Sequence, residues 1–154
     1  MGKLRMFGEL VEAGGAVDGG SGGGGGFQVA RVVRAAGDYQ TTSTSFVDID
    51  SSNLVINMTT GASWVMLLLL GSGYTAGIQY ECFDFTIDGV RQGNDYGVQY
   101  SQPYYLQDFE IVWLAQVTAG SHVFKPQWRG TGVTCYLRAT SQSTPLLFAA
   151  IELR

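Results

Sequence analysis

Phe83-Asp84-Phe85-Thr86-Ile87-Asp88-Gly89 decides the fold class. Phe83, Phe85 and Ile87 recur at every second position, with Asp84, Thr86 and Asp88 between them. That is the period of a strand with one face in a core and the other at a polar surface. The run closes on Asp88-Gly89, a pair that tolerates the positive φ angles of a two-residue hairpin turn.

The same period extends in both directions. Downstream, Phe109, Ile111, Trp113, Ala115 and Val117 alternate with Glu110, Val112, Leu114 and Gln116. Ala119-Gly120 turns the chain into residues 121–129, where His122, Phe124, Pro126 and Trp128 oppose Val123, Lys125, Gln127 and Arg129. Pro126 has no N–H for a ladder, so an edge strand or a bulge is expected there. Residues 133–139 and 147–153 complete the downstream set. Upstream stand Phe27–Arg34, a polar stretch over residues 39–45 leading into 46–50, residues 54–59, and the apolar run 64–70. The last predicts a strand buried on both faces. Eight to ten short strands separated by Gly, Ser, Thr, Asn and Asp turns, with no helix-length pattern after residue 27, predict an all-β antiparallel jelly roll or β-sandwich.

That domain occupies residues 27–154. Ahead of it, residues 1–26 form an arm of another composition, ending in a glycine-rich linker that can bury nothing. Within the arm Leu4, Phe7, Leu10 and Val11 follow helical spacing. A helix so short is marginal in water unless it lies against something. The segment therefore reads either as a disordered tail or as a docking arm tethered by the linker.

The apolar content exceeds what one core-facing side per strand requires. Val112 and Leu114 stand on the nominally outer face of their strand, and residues 64–70 and 147–153 carry similar surpluses. Large exposed apolar patches are unusual on monomers, so these residues predict a subunit interface in a homo-oligomer of closed symmetry.

Composition narrows the partners. The formal charge is −4, with nine Lys and Arg scattered along the chain. Nucleic-acid binding draws on a concentrated basic surface, and none is encoded. The run 64–70 is far shorter than the ~20 residues that span a bilayer as a helix. The N-terminus does not read as a secretory signal, having no continuous apolar stretch. Cys82 and Cys135 are compatible with a disulfide, but two buried thiols fit two such isolated positions better, which leads us to expect synthesis in a cytoplasm.

Catalytic chemistry is hard to assemble. His122 is the one histidine, and its place at a strand start suits a hydrogen-bonding role. The acids Asp48, Asp50, Asp84, Asp88, Asp95, Asp108 and Glu110 include no pair singled out for acid–base work of the glycosidase kind. No enzymatic activity, cofactor or catalytic residue is assigned. Residues 48–53, Asp-Ile-Asp-Ser-Ser-Asn, alternate oxygen donors but lack the glycine and distal glutamate of a calcium loop; turn formation accounts for them. Tyr96, Tyr100, Tyr104 and Tyr105 lie among Asn and Gln residues in a loop-rich stretch, residues 93–108. Such a stretch serves a protein interface, its own packing, or glycan recognition.

Several phrases carry a resemblance. Residues 118–129, Thr-Ala-Gly-Ser-His-Val-Phe-Lys-Pro-Gln-Trp-Arg, resemble a turn-and-strand phrase of phage and prophage appendage proteins. Residues 83–90 resemble the central hairpin of that family, residues 41–49 its opening strand and residues 150–153 its last one. The resemblance spans roughly residues 28–153. It implies a trimeric jelly roll similar to those of the tumour-necrosis-factor and complement globular-head type. It also implies a place on the virion surface as a head decoration, spike or tail appendage. Pro126 departs from the β-former usual there. The expected partners are other copies of the chain, capsid or tail proteins reached through the N-terminal arm, and a host-surface glycan. The alternatives are a carbohydrate-binding adhesion module and a subunit of an extracellular filament built by arm exchange.

Overall fold

The computed structural model describes residues 27–139 and 145–154. The arm of residues 1–26, with Leu4, Phe7, Leu10 and Val11, lies outside the described residues. Twelve strands and no helix make up the described part. They are β1 (Phe27–Arg34), β2 (Tyr39–Thr41), β3 (Val47–Asp48), β4 (Ile56–Thr60), β5 (Ser63–Thr75) and β6 (Glu81–Ile87). After these come β7 (Val90–Arg91), β8 (Gln99–Ser101), β9 (Gln107–Val117), β10 (Gly120–Gly130), β11 (Cys135–Arg138) and β12 (Leu146–Leu153).

The strands form two six-stranded antiparallel sheets. In the first, β5 is central: β9 runs along one side of it, while β12 and then β11 share the other. Outside these lie β1 on β12 and β2 on β11. In the second sheet β10 and β6 are central, with β3 and β4 along the far side of β10 and β7 and β8 along the far side of β6. The long strands β4, β5, β6, β9, β10 and β12 alternate between sheets in chain order. This alternation is the winding of a jelly roll, and it gives the two layers one shared core.

The core follows from the period-two pattern. Phe83 and Phe85 from β6 and Phe124 and Trp128 from β10 meet Val65, Leu67 and Leu69 from β5, Ile111 from β9 and Phe148 from β12. Phe85 stacks on Phe148 across the sheets at 5.9 Å, and Phe83 meets Phe109 at 4.9 Å between ring centres. Each such side chain contributes about 1.5–3 kcal/mol by leaving water, and contacts between distant strands make the two sheets interdependent. Asp88 and Gly89 take φ of 52° and 80°; Ile87 then pairs with Val90 across the tight turn, as the sequence predicts.

Two expectations are corrected. The run 64–70 is not covered on both faces. It belongs to the 13-residue β5, whose Val65, Leu67 and Leu69 are buried while Trp64 is half exposed and Met66, Leu68 and Leu70 are partly exposed. Nor does Pro126 mark an edge strand or a bulge, because β10 is paired on both sides and Pro126 stands opposite Phe85 in unbroken register with β6. On the other side β4 ends opposite Phe124 and β3 begins opposite Gln127. The Pro126 carbonyl accepts from Ile49 N at 3.2 Å on that side. A strand residue points its carbonyl and N–H to the same side, so the missing donor falls where the ladder passes from β4 to β3.

Candidate functional site

The outer faces of the two sheets differ in chemistry. On the first sheet, residues that alternate with the core align in rows across four strands. Val29 stands beside Ile151, Met66 and Leu114; Arg31 stands beside Ala149, Leu68 and Val112. A further row runs Phe27, Leu153, Trp64 and Gln116. Trp64, Val112, Leu114 and Leu153 are between 41% and 51% exposed. The sequence-predicted interface residues Val112 and Leu114 thus sit at the β9 end of a continuous apolar sheet face, with Arg31 as the charged group in these rows. It can bury apolar area; it offers no arrangement for bond chemistry.

The outer side of the second sheet is polar and cross-braced. Asp48 accepts from Lys125 at 3.0 Å and from Gln127 at 2.8 Å. Asp50 accepts from the backbone of Ser52 and Asn53, from the Asn53 amide and from Tyr39. These bonds explain the acidic turn at residues 48–53 as a capped turn. Among the described residues no three His, Cys, Asp or Glu side chains gather as metal ligands.

Asp84 faces outward on β6 yet is fully buried. It accepts from Arg91 Nε at 2.7 Å and from Gly93 N at 2.9 Å. Arg91 in turn donates to the Asn94 carbonyl and lies 3.9 Å over the Phe46 ring. This network fixes the loop after β7. Gly97 is required within it: at φ 79° a Cβ would come 2.0 Å from the Phe83 carbonyl oxygen, inside any allowed contact, while Val98 N donates to that same oxygen at 2.9 Å.

The loop sorts the predicted tyrosines into two groups. Tyr96 and Tyr100 lie 5.6 Å apart, and Tyr100 meets Tyr80 edge-to-face at 5.3 Å. Arg129 underlies them, 5.7 Å from the Tyr96 ring, with its guanidinium donating to the carbonyls of Thr44 and Asp95. Tyr104 and Tyr105 instead pack edge-to-face on each other at 4.9 Å, beyond Pro103, whose carbonyl accepts from Thr75 N. Tyr80 was missed in the sequence because it lies outside the tyrosine-rich stretch. Its position two residues before Cys82, which pairs with Tyr100, brings it there.

His122 is buried at the start of β10. Its Nδ1 lies 2.7 Å from Asp88 Oδ2 and its Nε2 2.9 Å from the Thr118 carbonyl. Both partners are acceptors, so the doubly protonated ring satisfies both. The bond to Asp88, followed by that to Thr118, raises the His122 pKa. Its contribution to stability is therefore present in full below the unfolded-state value and is lost as pH rises through the raised native one. We expect His122→Gln to cost about 1–2 kcal/mol at pH 6, and less at pH 9. Urea unfolding of both proteins at the two pH values checks this, and an equal cost at both would contradict it.

Cys82 and Cys135 are free and buried, as expected of packed thiols; burial first, and then the nearby Glu81 and Cys82, push Cys135 up to about 12. Glu81 itself is fully buried, and among the described residues neither of its carboxyl oxygens has a hydrogen-bond partner. It borders a cavity of about 180 Å³ together with Gln99, Ser101, Pro103, Gln107 and Phe109.

A scan against protein-family models finds no match for the chain, and a search among curated proteins finds none either.

Proposed function

We propose that this chain is a structural protein of a virus particle, a phage head decoration, spike or tail appendage, whose β domain assembles as a homotrimer and projects from the surface. The apolar outer face of β1, β12, β5 and β9 carries the reading. Its half-exposed Trp64, Val112 and Leu114 form a contiguous patch on a sandwich that already has a full core. Burial of such a face against other copies of the chain recovers ~25 cal/mol for each Å² of apolar surface removed from water, and closed symmetry leaves no copy of the patch uncovered. The resemblance of residues 28–153 to phage appendage jelly rolls supplies the expected symmetry and the virion setting. The N-terminal arm, with Leu4, Phe7, Leu10 and Val11, is the attachment element to capsid or tail proteins in this reading. The role is mechanical and adhesive, without catalysis, cofactor, nucleic acid or membrane insertion.

Light scattering on the full chain and on residues 27–154 tests it. Three chains per particle in both forms is the expected result. A single chain in both overturns the assembly, and association only when residues 1–26 are present replaces it with arm exchange between subunits.

A further inference from the structure

We infer that Tyr80, Tyr96 and Tyr100 form a binding site for a neutral saccharide, on the side of the sandwich away from the apolar sheet face.

Exposure comes first. The three rings are 40%, 50% and 57% exposed, although each contacts another. Such exposure leaves ring surface open to a ligand; Tyr104 and Tyr105, at 51% and 74%, are separated from the corner by their place beyond Pro103 and not by cover.

The rings are also held by backbone. Tyr80 N donates to Thr131 Oγ1 at 2.9 Å and Thr131 N returns a bond to the Tyr80 carbonyl. Tyr100 is registered against Cys82 in the β8–β6 ladder, and Tyr96 N donates to Asn94 Oδ1 at 2.8 Å. A site built this way loses little conformational freedom on binding.

Shape and polarity then select the ligand. Interplanar angles of 89° and 49° make the rings an angular corner rather than a flat stack. An apolar C–H face of a pyranose can lie on one ring while its equatorial hydroxyls reach phenolic oxygens of the others. Of the cationic groups beneath, Arg91 is charge-paired with Asp84, and Arg129, though still cationic, directs donors from both its terminal nitrogens to the Thr44 and Asp95 carbonyls. Neither guanidinium therefore presents an open two-pronged fork to a carboxylate or sulfate.

Size argues against a protein partner for this corner alone. At ~200 Å² per aromatic side chain, the exposed fractions sum to roughly 300 Å², against about 800 Å² per side for a standard protein interface. A mono- or disaccharide matches the smaller figure. Tyr104 and Tyr105, packed on each other beyond Pro103, are not part of the site.

A printed array of neutral hexose and N-acetylhexosamine glycans, with sulfated and sialylated ones alongside, tests the inference on the full chain. Any neutral hit is then titrated by calorimetry. Binding to neutral glycans is expected, with Tyr100→Ala and Tyr96→Ala each weakening it at least tenfold and Tyr105→Ala leaving it unchanged. Tyr100→Phe, which keeps the ring, should retain binding within a few-fold and separates loss of the site from loss of the fold. An array with no neutral hit, a preference for acidic glycans, or affinity unchanged by Tyr100→Ala and Tyr96→Ala would overturn it. Array signal grows with the number of sites per particle, but calorimetry reads the affinity of each site whatever the oligomeric state, so a failure there leaves the assembly reading standing, and the reverse holds too.

Discussion

If the chain assembles as proposed, Leu114→Asp is expected to reduce the particle from three chains to one while leaving the fold intact. Leu114 is half exposed and stands in a row with Met66, Ile151 and Val29. In a free subunit the aspartate faces water, and substitutions at such surface positions usually change stability by within ~0.5 kcal/mol. In the assembly it becomes an unpaired charge in an apolar contact, a cost of several kcal/mol repeated at every interface. Light scattering reads the mass, and far-ultraviolet circular dichroism with a thermal melt reads the fold. Val112→Asp, one row away beside Leu68, should act in the same way. Retention of the wild-type mass by both variants would show that another surface holds the subunits together.

The second large effect concerns Glu81. Burial raises its pKa from 4.5 to about 8, and among the described residues neither oxygen has a partner to offset the loss of water. A carboxyl with a raised native pKa leaves stability intact below its unfolded value and removes it progressively as pH rises toward the native one. The protein should therefore lose stability between about pH 4.5 and pH 8. At about 1.4 kcal/mol per pH unit the full loss is of order 5 kcal/mol, an upper figure because side chains and water relax around a buried charge. Glu81→Gln keeps the shape and cannot ionise. At pH 8 it should melt roughly 10 °C above the wild type, and near pH 4.5 the two should nearly coincide. Parallel melting curves for the two proteins across this range would refute the assignment. The contribution of His122, whose pKa is raised, is likewise lost as pH rises, so the comparison is made between Glu81→Gln and the wild type at each pH.

Glu81 also shows what the sequence discloses and what it hides. It continues the period of Phe83, Phe85 and Ile87 by one step, so strict alternation already places it on the core face. Its glutamate identity argues for solvent, and only the assembled sandwich shows which tendency prevails. The long strands were legible because β6, β9 and β10 each sustain the alternation for seven or more residues. Strands β3 and β7 have two residues and β2 and β8 three, too few to display a period. They exist because β6, β10 and β11 offer edges to pair with. Pro126 misled for a related reason: its missing donor is a local fact, while the gap between β4 and β3 that accommodates it depends on residues some seventy positions earlier. Val112 and Leu114 were found as an apolar surplus, but their neighbours Met66 and Ile151 required the register. The tyrosine corner was half legible, since Tyr96 and Tyr100 share a loop whereas Tyr80 arrives through the β6–β8 pairing.

The pairing of the first described strand has a mechanical consequence. Among the described residues β1 lies at the rim of its sheet with β12 as its sole ladder neighbour, in eight matched pairs from Phe27 with Leu153 to Arg34 with Leu146. Any pull delivered through the chain ahead of Phe27 enters the domain along this strand. Tension parallel to it loads all eight pairs together in shear, whereas tension across the sheet peels them singly from Phe27 inward. The angle at which a tether leaves the domain would then set the force at which the first strand lets go, and a shaft or capsid holding that angle near the strand axis would make the same hydrogen bonds a stronger anchor.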